Sequence, residues 1–384
     1  MNKTTDGQKR VQTGVHFMLG NYAIAEGAIA AGCDFFAGYP ITPANEISER
    51  MSQRLPEVGG VFLQGEDELC SINAVIGASL AGAKAMTATA SAGYNYMQEG
   101  IEYAVAIEAP CVIVDVQRCR GENFATQADV MQMRWGAAGD HEMIVLAPSS
   151  VQESFDYTIW AFNLAEQFRT PVIVMSETTI ALMRERLAIP ARDEIQLYNR
   201  TYTELPPGEY LPFKAPENGV PDAAPLGKGY AAIYSINPHD ERGRIDWDPE
   251  VFDRLYQRIT GKITENRNII CKTESFYLDD ADIALIAYGS EVRPALDAVQ
   301  MARNDGKKVG LLKLATVWPV PEEQIRLVAE NVGTVVTVEM NIGRYAYEVE
   351  RICGGRCQTA RITKNRGLIH SPEEIYHALK EVIA

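Results

Sequence analysis

The chain predicts an α/β architecture built on parallel sheets and divided into two blocks. Two observations predict it. The apolar run CVIVDV at 111–116, with similar runs at 144–147 and 172–175, reads as parallel strands covered on both faces. Helical periodicity fills the intervals, as at 151–167, and strand–helix alternation of this kind implies a parallel sheet. At 384 residues the chain also exceeds one ordinary core and suits two or three domains.

In chain order, residues 21–31 form a small-residue helix pattern ending near Gly32, and 34–38 a short strand entering a turn at 39–43. A helix follows over 43–51, with Pro43 near its start and Glu46 in its first turn. Strands are expected at 61–64 and 85–90, with helices at 68–83 and 96–108. Nine prolines between Pro190 and Pro249 then interrupt the pattern, and proline-rich segments of this length wrap surfaces or bridge domains. One helix is expected within it, over 248–268. The α/β pattern resumes with strands at 282–289, 309–314 and 334–340 and helices at 291–304, 322–331 and 372–383. The expected division is therefore 1–195, a bridging segment over 196–274, and a smaller domain over 275–384.

Lysine plus arginine number 36 and aspartate plus glutamate 51, a formal charge of −15. So acidic a surface repels phosphate backbones, which argues against nucleic acid and anionic membranes as partners. The polar N-terminus has no apolar signal region, and no run of eighteen apolar residues occurs. Seven scattered cysteines suit reduced thiols in a cytoplasmic protein. Cys353 and Cys357 stand alone and cannot hold an iron–sulfur cluster without further ligands.

Four segments of the first block carry possible chemistry. GYPITP, 38–43, turns from a strand end toward a helix, and ligands bind at the carboxyl ends of parallel strands. Thr42 offers a hydroxyl beside helix N-terminal amides, a setting for a carboxylate, or it is simply a cap. In LQGEDELCSINAVIGAS, 63–79, Glu66, Asp67 and Glu68 precede a nearly uncharged helix. Capping explains acids there, but Glu68 leads straight into a buried helix, where an acid needs a partner. TATASAGYNYMQEG, 87–100, reads as a small-residue loop in which Ser91 and Gly93 permit close backbone approach. Tyr94 and Tyr96 are either core or site wall. In VDVQRCRGENF, 114–124, a buried strand ends in Arg118, with Arg120 two residues on. An arginine at a strand's carboxyl end is either a bidentate anion binder or a surface ion pair.

These segments, in this order, together with APSSVQE, GKGY (227–230), DERGR (240–244) and VEMNIGR (338–344), resemble the alpha subunit of the 2-oxoacid:ferredoxin oxidoreductases, most nearly the unfused 2-oxoglutarate type. The resemblance covers nearly the whole chain. It implies a pyrimidine-type thiamine-diphosphate-binding fold followed by a domain like the C-terminal one of transketolase. It also implies CoA-dependent oxidative decarboxylation of a 2-oxoacid, with electrons passed to ferredoxin or another acceptor. Glu68, nine positions before Gly77, matches the family's catalytic glutamate, which hydrogen-bonds the aminopyrimidine and promotes deprotonation of the thiazolium C2. Thr42 and Arg118 match its binders of the substrate carboxylate, while Ser91, Gly93 and Tyr94 are expected against the cofactor.

The family marks its Mg2+–diphosphate site with GDG, and no GDG occurs here. Diphosphate, Mg2+ and the iron–sulfur clusters are therefore expected on a partner beta subunit, with coenzyme A as co-substrate. A gamma subunit and ferredoxin or other electron-transfer subunits are further expected partners, any gamma chain being separate because this chain starts at the pyrimidine domain. One departure stands out. The GPSTG-containing loop of the 2-oxoglutarate type is replaced by the shorter CRGENFATQAD. Arg120 would then grip a distal carboxylate, or the shorter loop would admit an aryl 2-oxoacid. A non-catalytic scaffold paralogue and a transketolase-like ligase half are the other readings. The joint presence of Thr42, Glu68 and Arg118 opposes the first, and the proline-rich bridge and GYPITP oppose the second.

Overall fold

The structure is a computed structural model that describes residues 10–119, 123–224, 226–365 and 367–383. Its strands are β1 (Gly14–Leu19), β2 (Phe35–Gly38), β3 (Val61–Gln64), β4 (Ala85–Thr89), β5 (Cys111–Gln117), β6 (Ile144–Leu146), β7 (Pro171–Glu177), β8 (Arg184–Ile189), β9 (Thr273–Phe276), β10 (Ile283–Ala287), β11 (Val309–Leu314), β12 (Thr316–Trp318), β13 (Thr334–Glu339) and β14 (Gln358–Thr363). A seven-stranded sheet has the order β12-β6-β7-β5-β4-β2-β3, parallel except for β12. A five-stranded sheet has the order β14-β13-β10-β11-β9, parallel except for β9. Strands β1 and β8 form a separate antiparallel ribbon.

The apolar runs lie where two-sided burial demands them. Every residue of β5 and β7 is buried, because helices cover both faces of the sheet centre. The helices that matter for the site are α1 (Gly20–Ala30), α2 (Asn45–Glu57), α3 (Glu68–Leu80), α4 (Ser91–Tyr96), α5 (Gln98–Ala106) and α6 (Val151–Phe168). Ser150 caps α6 by accepting from the Glu153 amide at 3.1 Å. Helix α1 packs closely on α6 through Gly27, where a Cβ would come within 2.6 Å of the Phe155 carbonyl oxygen.

The two sheets are not independent. One continuous apolar cluster includes Ile113, Val145 and Ile173 of the larger sheet and Ile286, Leu312 and Val335 of the smaller. Strand β12, from the later part of the chain, extends the first sheet beside β6, and the Trp318 indole donates to the Val130 carbonyl at 2.7 Å. Nothing in the three-residue stretch TVW sets a period, so sequence reasoning does not find this edge. The ribbon strands β1 and β8, β9 and β14, and the helix Ala346–Cys353 were likewise not among the expected elements.

Among the described residues the proline-rich stretch has no helix or long strand between a single 3-10 turn, Arg192–Glu194, and α7 (Pro249–Thr264), and it packs on the first sheet's helical layer. Arg200 is paired with Glu166 at 2.5 Å and reaches the Ala83 carbonyl, while Lys84 donates to the Tyr198 carbonyl at 2.9 Å. The expected helix at 248–268 ends earlier, at Thr264. Its docking point is Glu108, fully buried, which accepts from Lys262 at 2.8 Å and from Arg258 at 2.7 and 2.9 Å. Burial alone would raise the Glu108 carboxyl; Lys262 and Arg258 outweigh that and hold it well below the usual carboxylate range. This contribution is present above the unfolded-state carboxylate range and is lost only as pH falls through the depressed native value. Among the described residues no helix is long and apolar enough to cross a membrane.

Removing one charge of a buried ion pair leaves the others uncompensated. Glu108→Gln should therefore lower the unfolding free energy by about 3–5 kcal/mol, measured by urea titration at neutral pH. A loss below about 1 kcal/mol would show that solvent reaches Lys262 and Arg258.

Candidate active site

Four adjacent parallel strands, β5-β4-β2-β3, end on the same side of the larger sheet, so the segments that follow them share one edge. Those segments carry Arg118, Ser91 with Gly93, Thr42 and Glu68 respectively. The Gly65 amide donates to the Gly38 carbonyl at 2.9 Å, tying the turn after β3 to the end of β2.

Glu68 opens α3. Asp67 is the cap, accepting from the Cys70 amide at 2.6 Å, which frees Glu68 from that duty. Glu66 and Asp67 are exposed, but Glu68 is only 7% exposed, and among the described residues its carboxylate has no hydrogen-bond or ion-pair partner. The helix N-terminus favours its charge. It lies against Gly93, where a Cβ would overlap Glu68 Oε1 and Thr89 Oγ1. Gly93 therefore keeps room for the carboxylate.

The segment expected as a loop after β4 is instead helical from Ser91, because the backbone turns directly into α4 at the strand end. Tyr94, expected against the cofactor, is 1% exposed and belongs to the core cluster that includes Ile72 and Met97. Tyr96 is the exposed member of the pair. Thr42 is not a helix cap. Helix α2 begins at Asn45 after Ala44, and the Thr42 hydroxyl accepts from Asn45 Nδ2 at 3.2 Å.

Ser91 and Arg118 are brought together. The Arg118 amide donates to Ser91 Oγ at 3.1 Å, and Ser91 Oγ donates to the Asp129 carboxylate. The Arg118 guanidinium donates to Asn123 Oδ1 at 2.9 Å. Ser91, Arg118 and Asp129 line a cleft of about 830 Å³ whose far wall, Asn341 and Arg344, comes from the loop after β13. Asn341 shapes that loop by accepting from the Gly343 and Arg344 amides at 2.8 and 2.9 Å. Thr42 and Glu68 are not among the residues lining this cleft. Arg120 lies outside the described residues.

Asp129, Asn341 and Arg344 were not found from sequence. Asp129 carries no local pattern, and the other two reach the cleft only through packing of the second sheet. A signal did exist for Asp115: an acid inside a fully buried strand demands an explanation.

The parallel sheet, with Glu68 at its carboxyl edge, has the layout of a thiamine-diphosphate-binding domain. The chain belongs to the pyruvate flavodoxin/ferredoxin oxidoreductase family: the family's thiamine diphosphate-binding domain matches residues 26–258, and the pyruvate:ferredoxin oxidoreductase core domain II matches 281–375. It is 47% identical over 369 residues to the 2-oxoglutarate synthase subunit KorA of Methanothermobacter thermautotrophicus, covering 95% of this chain and 98% of that protein. The ketoisovalerate oxidoreductase subunit VorB of Methanothermobacter marburgensis is 36% identical, covering 91% and 92%. Among solved structures, the 2-oxoglutarate:ferredoxin oxidoreductase from Magnetococcus marinus, with 2-oxoglutarate, coenzyme A and succinyl-CoA bound, superposes with a TM-score of 0.92 at 29% identity, over 97% of this chain and 66% of that one. A split-gene transketolase in an inactive tetrameric form shares the fold, with a TM-score of 0.55 at 12% identity.

The residues fit thiamine diphosphate to this extent: the Glu68 carboxylate, lying over Gly93, is free to hydrogen-bond an aminopyrimidine. Glu68→Gln should leave the fold intact and cut turnover of the assembled enzyme by roughly 10²–10⁴. Glu66→Gln is the control, and an equal loss there would move the role to the wrong acid.

Proposed function

We propose that this chain is the pyrimidine-binding alpha subunit of an oxidoreductase complex that decarboxylates 2-oxoglutarate oxidatively, forming succinyl-CoA and CO2 and passing electrons to ferredoxin or a related acceptor. The observation that carries the reading is the Glu68 carboxylate, buried and unpaired over Gly93, on the sheet edge that also presents Thr42 and Arg118. Thiamine diphosphate, when bound, supplies the carbon nucleophile and the sink for the electrons left by loss of CO2. Glu68 hydrogen-bonds the pyrimidine ring nitrogen and holds the proton whose movement activates it. Arg118, positioned through its amide by Ser91, takes the substrate carboxylate in a charge-assisted bond, and the Thr42 hydroxyl completes that grip.

Partner subunits complete the site. The absence of GDG supports a beta subunit that holds the diphosphate, Mg2+ and the iron–sulfur clusters. Relatives named as 2-oxoglutarate synthase subunits, at 46–47% identity, favour 2-oxoglutarate over an aryl 2-oxoacid. The shortened loop that motivated the aryl alternative includes residues 120–122, outside the described region. Arg120 accordingly keeps only the proposed part of a selectivity residue for the distal carboxylate.

Coenzyme-A-dependent reduction of a viologen dye by the anaerobically purified complex, with a panel of 2-oxoacids, tests this reading. Arg118→Ala should lower the specificity constant by about 10- to 150-fold for every acid, because all share the carboxylate it holds. Retention of full activity would remove Arg118 from the site, and failure of all 2-oxoacids would overturn the function. Calorimetry should find only weak thiamine diphosphate binding to the isolated chain; a tight site there would abolish the need for a beta subunit.

A further inference from the structure

The loop after β13 is held more firmly than a surface loop requires. Glu339 and Asn341 are both buried. Glu339 accepts from the Tyr345 and Ala346 amides at 3.1 and 3.0 Å and from the Tyr288 hydroxyl at 3.0 Å. Asn341 donates to Glu339 at 2.7 Å and to the Gln127 carbonyl at 2.9 Å, while its side-chain oxygen accepts from the Gly343 and Arg344 amides. Gly343 takes φ +86° and lies against Arg361, where a Cβ would meet Arg361 Cδ at 3.1 Å. Two residues of this fixed loop, Ile342 and Arg344, are exposed, and both line the cleft.

The Arg344 guanidinium has no hydrogen-bond or ion-pair partner among the described residues. Carboxylates are not scarce in a chain with a formal charge of −15, so a cation anchored through its backbone and left unpaired at its tip needs a reason. Asp129, across the cleft, accepts from Ser91 Oγ instead. Burial raises the Asp129 carboxyl, and the charge of Arg344 works against that rise. Arg118, on the same side as Ser91, donates to the uncharged Asn123. The cleft thus carries one guanidinium on each wall, and neither is neutralised by an ion pair among the described residues.

We infer that Arg344 selects a dicarboxylic 2-oxoacid by holding the carboxylate at the far end of the substrate, while Arg118 holds the one beside the reacting carbonyl. The inference rests on the substrate-binding part assigned above to Arg118. Charge dictates the division. The two carboxylates of a dicarboxylic acid repel each other, so the dianion binds extended and its ends call for cations on separate walls. A guanidinium suits the far end, because it grips a carboxylate with two parallel N–H groups and stays charged at any working pH. Tyr96 and Ile342, also exposed on the cleft lining, offer apolar surface to the intervening methylenes. An acid with an apolar side chain gains nothing from Arg344 and strips water from it without replacing the lost hydrogen bonds. The fixed loop adds to the preference, since little ordering remains to be done when the substrate arrives.

Arg120, two residues after Arg118, is the competing candidate for the same end of the substrate. The test therefore sets Arg344→Ala beside Arg120→Ala in the assembled complex. The substrates are 2-oxoglutarate and 2-oxopentanoate, which has the same carbon chain with a methyl group in place of the distal carboxylate. Arg344 is exposed, so its replacement spares the core. Arg344→Ala should lower the specificity constant for 2-oxoglutarate about 10- to 150-fold, the loss of one charge-assisted bond, and leave that for 2-oxopentanoate within about twofold. The loss should fall on KM more than on kcat, because the distal carboxylate does not change charge during the reaction. Arg344→Lys keeps the charge without the fork and should recover part of the loss. Equal effects of Arg344→Ala on the two acids, or a selective loss in Arg120→Ala alone, would overturn the inference. A complex inactive on every 2-oxoacid would instead sink the functional reading. Glutarate, which has both carboxylates and no reacting carbonyl, then still decides the part of Arg344. Its binding to the complex, measured by calorimetry, should weaken in Arg344→Ala, and binding that is absent or unchanged would count against that part whatever the turnover.

Discussion

The structure depends on the parallel pairing of β2, β3, β4 and β5. Parallel strands cannot be joined by tight hairpins, so each is followed by a crossover that leaves the sheet at its carboxyl end. Four successive crossovers deliver Thr42, Glu68, Gly93 with Ser91, and Arg118 to one edge. The same pairing requires cover on both faces, which explains why β5 is wholly buried and why an acid within it has no solvent to fall back on. Site and core are thus two consequences of one hydrogen-bonding pattern.

The second sheet completes the cleft, and it is held by polar contacts rather than by apolar packing alone. Gln127 is the pin. Its side chain donates to Glu177 at 3.1 Å and to the Tyr288 carbonyl at 2.8 Å and accepts from the Met340 amide, while Asn341 donates to its carbonyl. Glu177, at the end of β7, also accepts from the Ser290 amide and hydroxyl, so a strand end of one sheet caps the first turn after β10 of the other. Burial pushes the Glu177 carboxyl up to about 7 even though these donors favour its ionised form. Buried networks of this kind rigidify when every member is satisfied, and Arg344 is carried on the loop they fix.

Much of the edge was legible in the sequence because its signals are local. The strand at 61–64 and the helix start at Glu68 follow from an apolar run meeting acids suited to a helix N-terminus. The burial of Glu68 was legible as a conflict between its charge and an otherwise uncharged helix. Segment 91–96 reads as a loop because Ser, Gly and Asn are weak helix formers, and packing on the sheet overrides that weakness. Tyr94 reads from the sequence equally well as wall or core, and its depth of burial is not encoded in the local pattern. Asp129 and Arg344 were invisible, since one sits in an irregular stretch and the other lies more than two hundred residues from Ser91. What joins them is tertiary contact, which no local period encodes.

A buried carboxylate without a partner is costly, and the α3 N-terminus offsets only part of that cost. Three nearby groups could have quenched Glu68, and none does. Asp67 takes the cap and leaves Glu68 no backbone amide, Gly93 withholds a side chain that would fill the space, and Thr89 directs its hydroxyl to the Ala90 carbonyl at 3.4 Å. Arg118, a cation on the same sheet edge, is engaged by Asn123 and Ser91 instead. The fold therefore leaves the Glu68 carboxylate open, as it leaves both carboxyl oxygens of Asp115 and the Thr87 hydroxyl. That openness is what lets Glu68 share a proton with a group brought from outside the chain, as the proposed role at the pyrimidine ring asks of it.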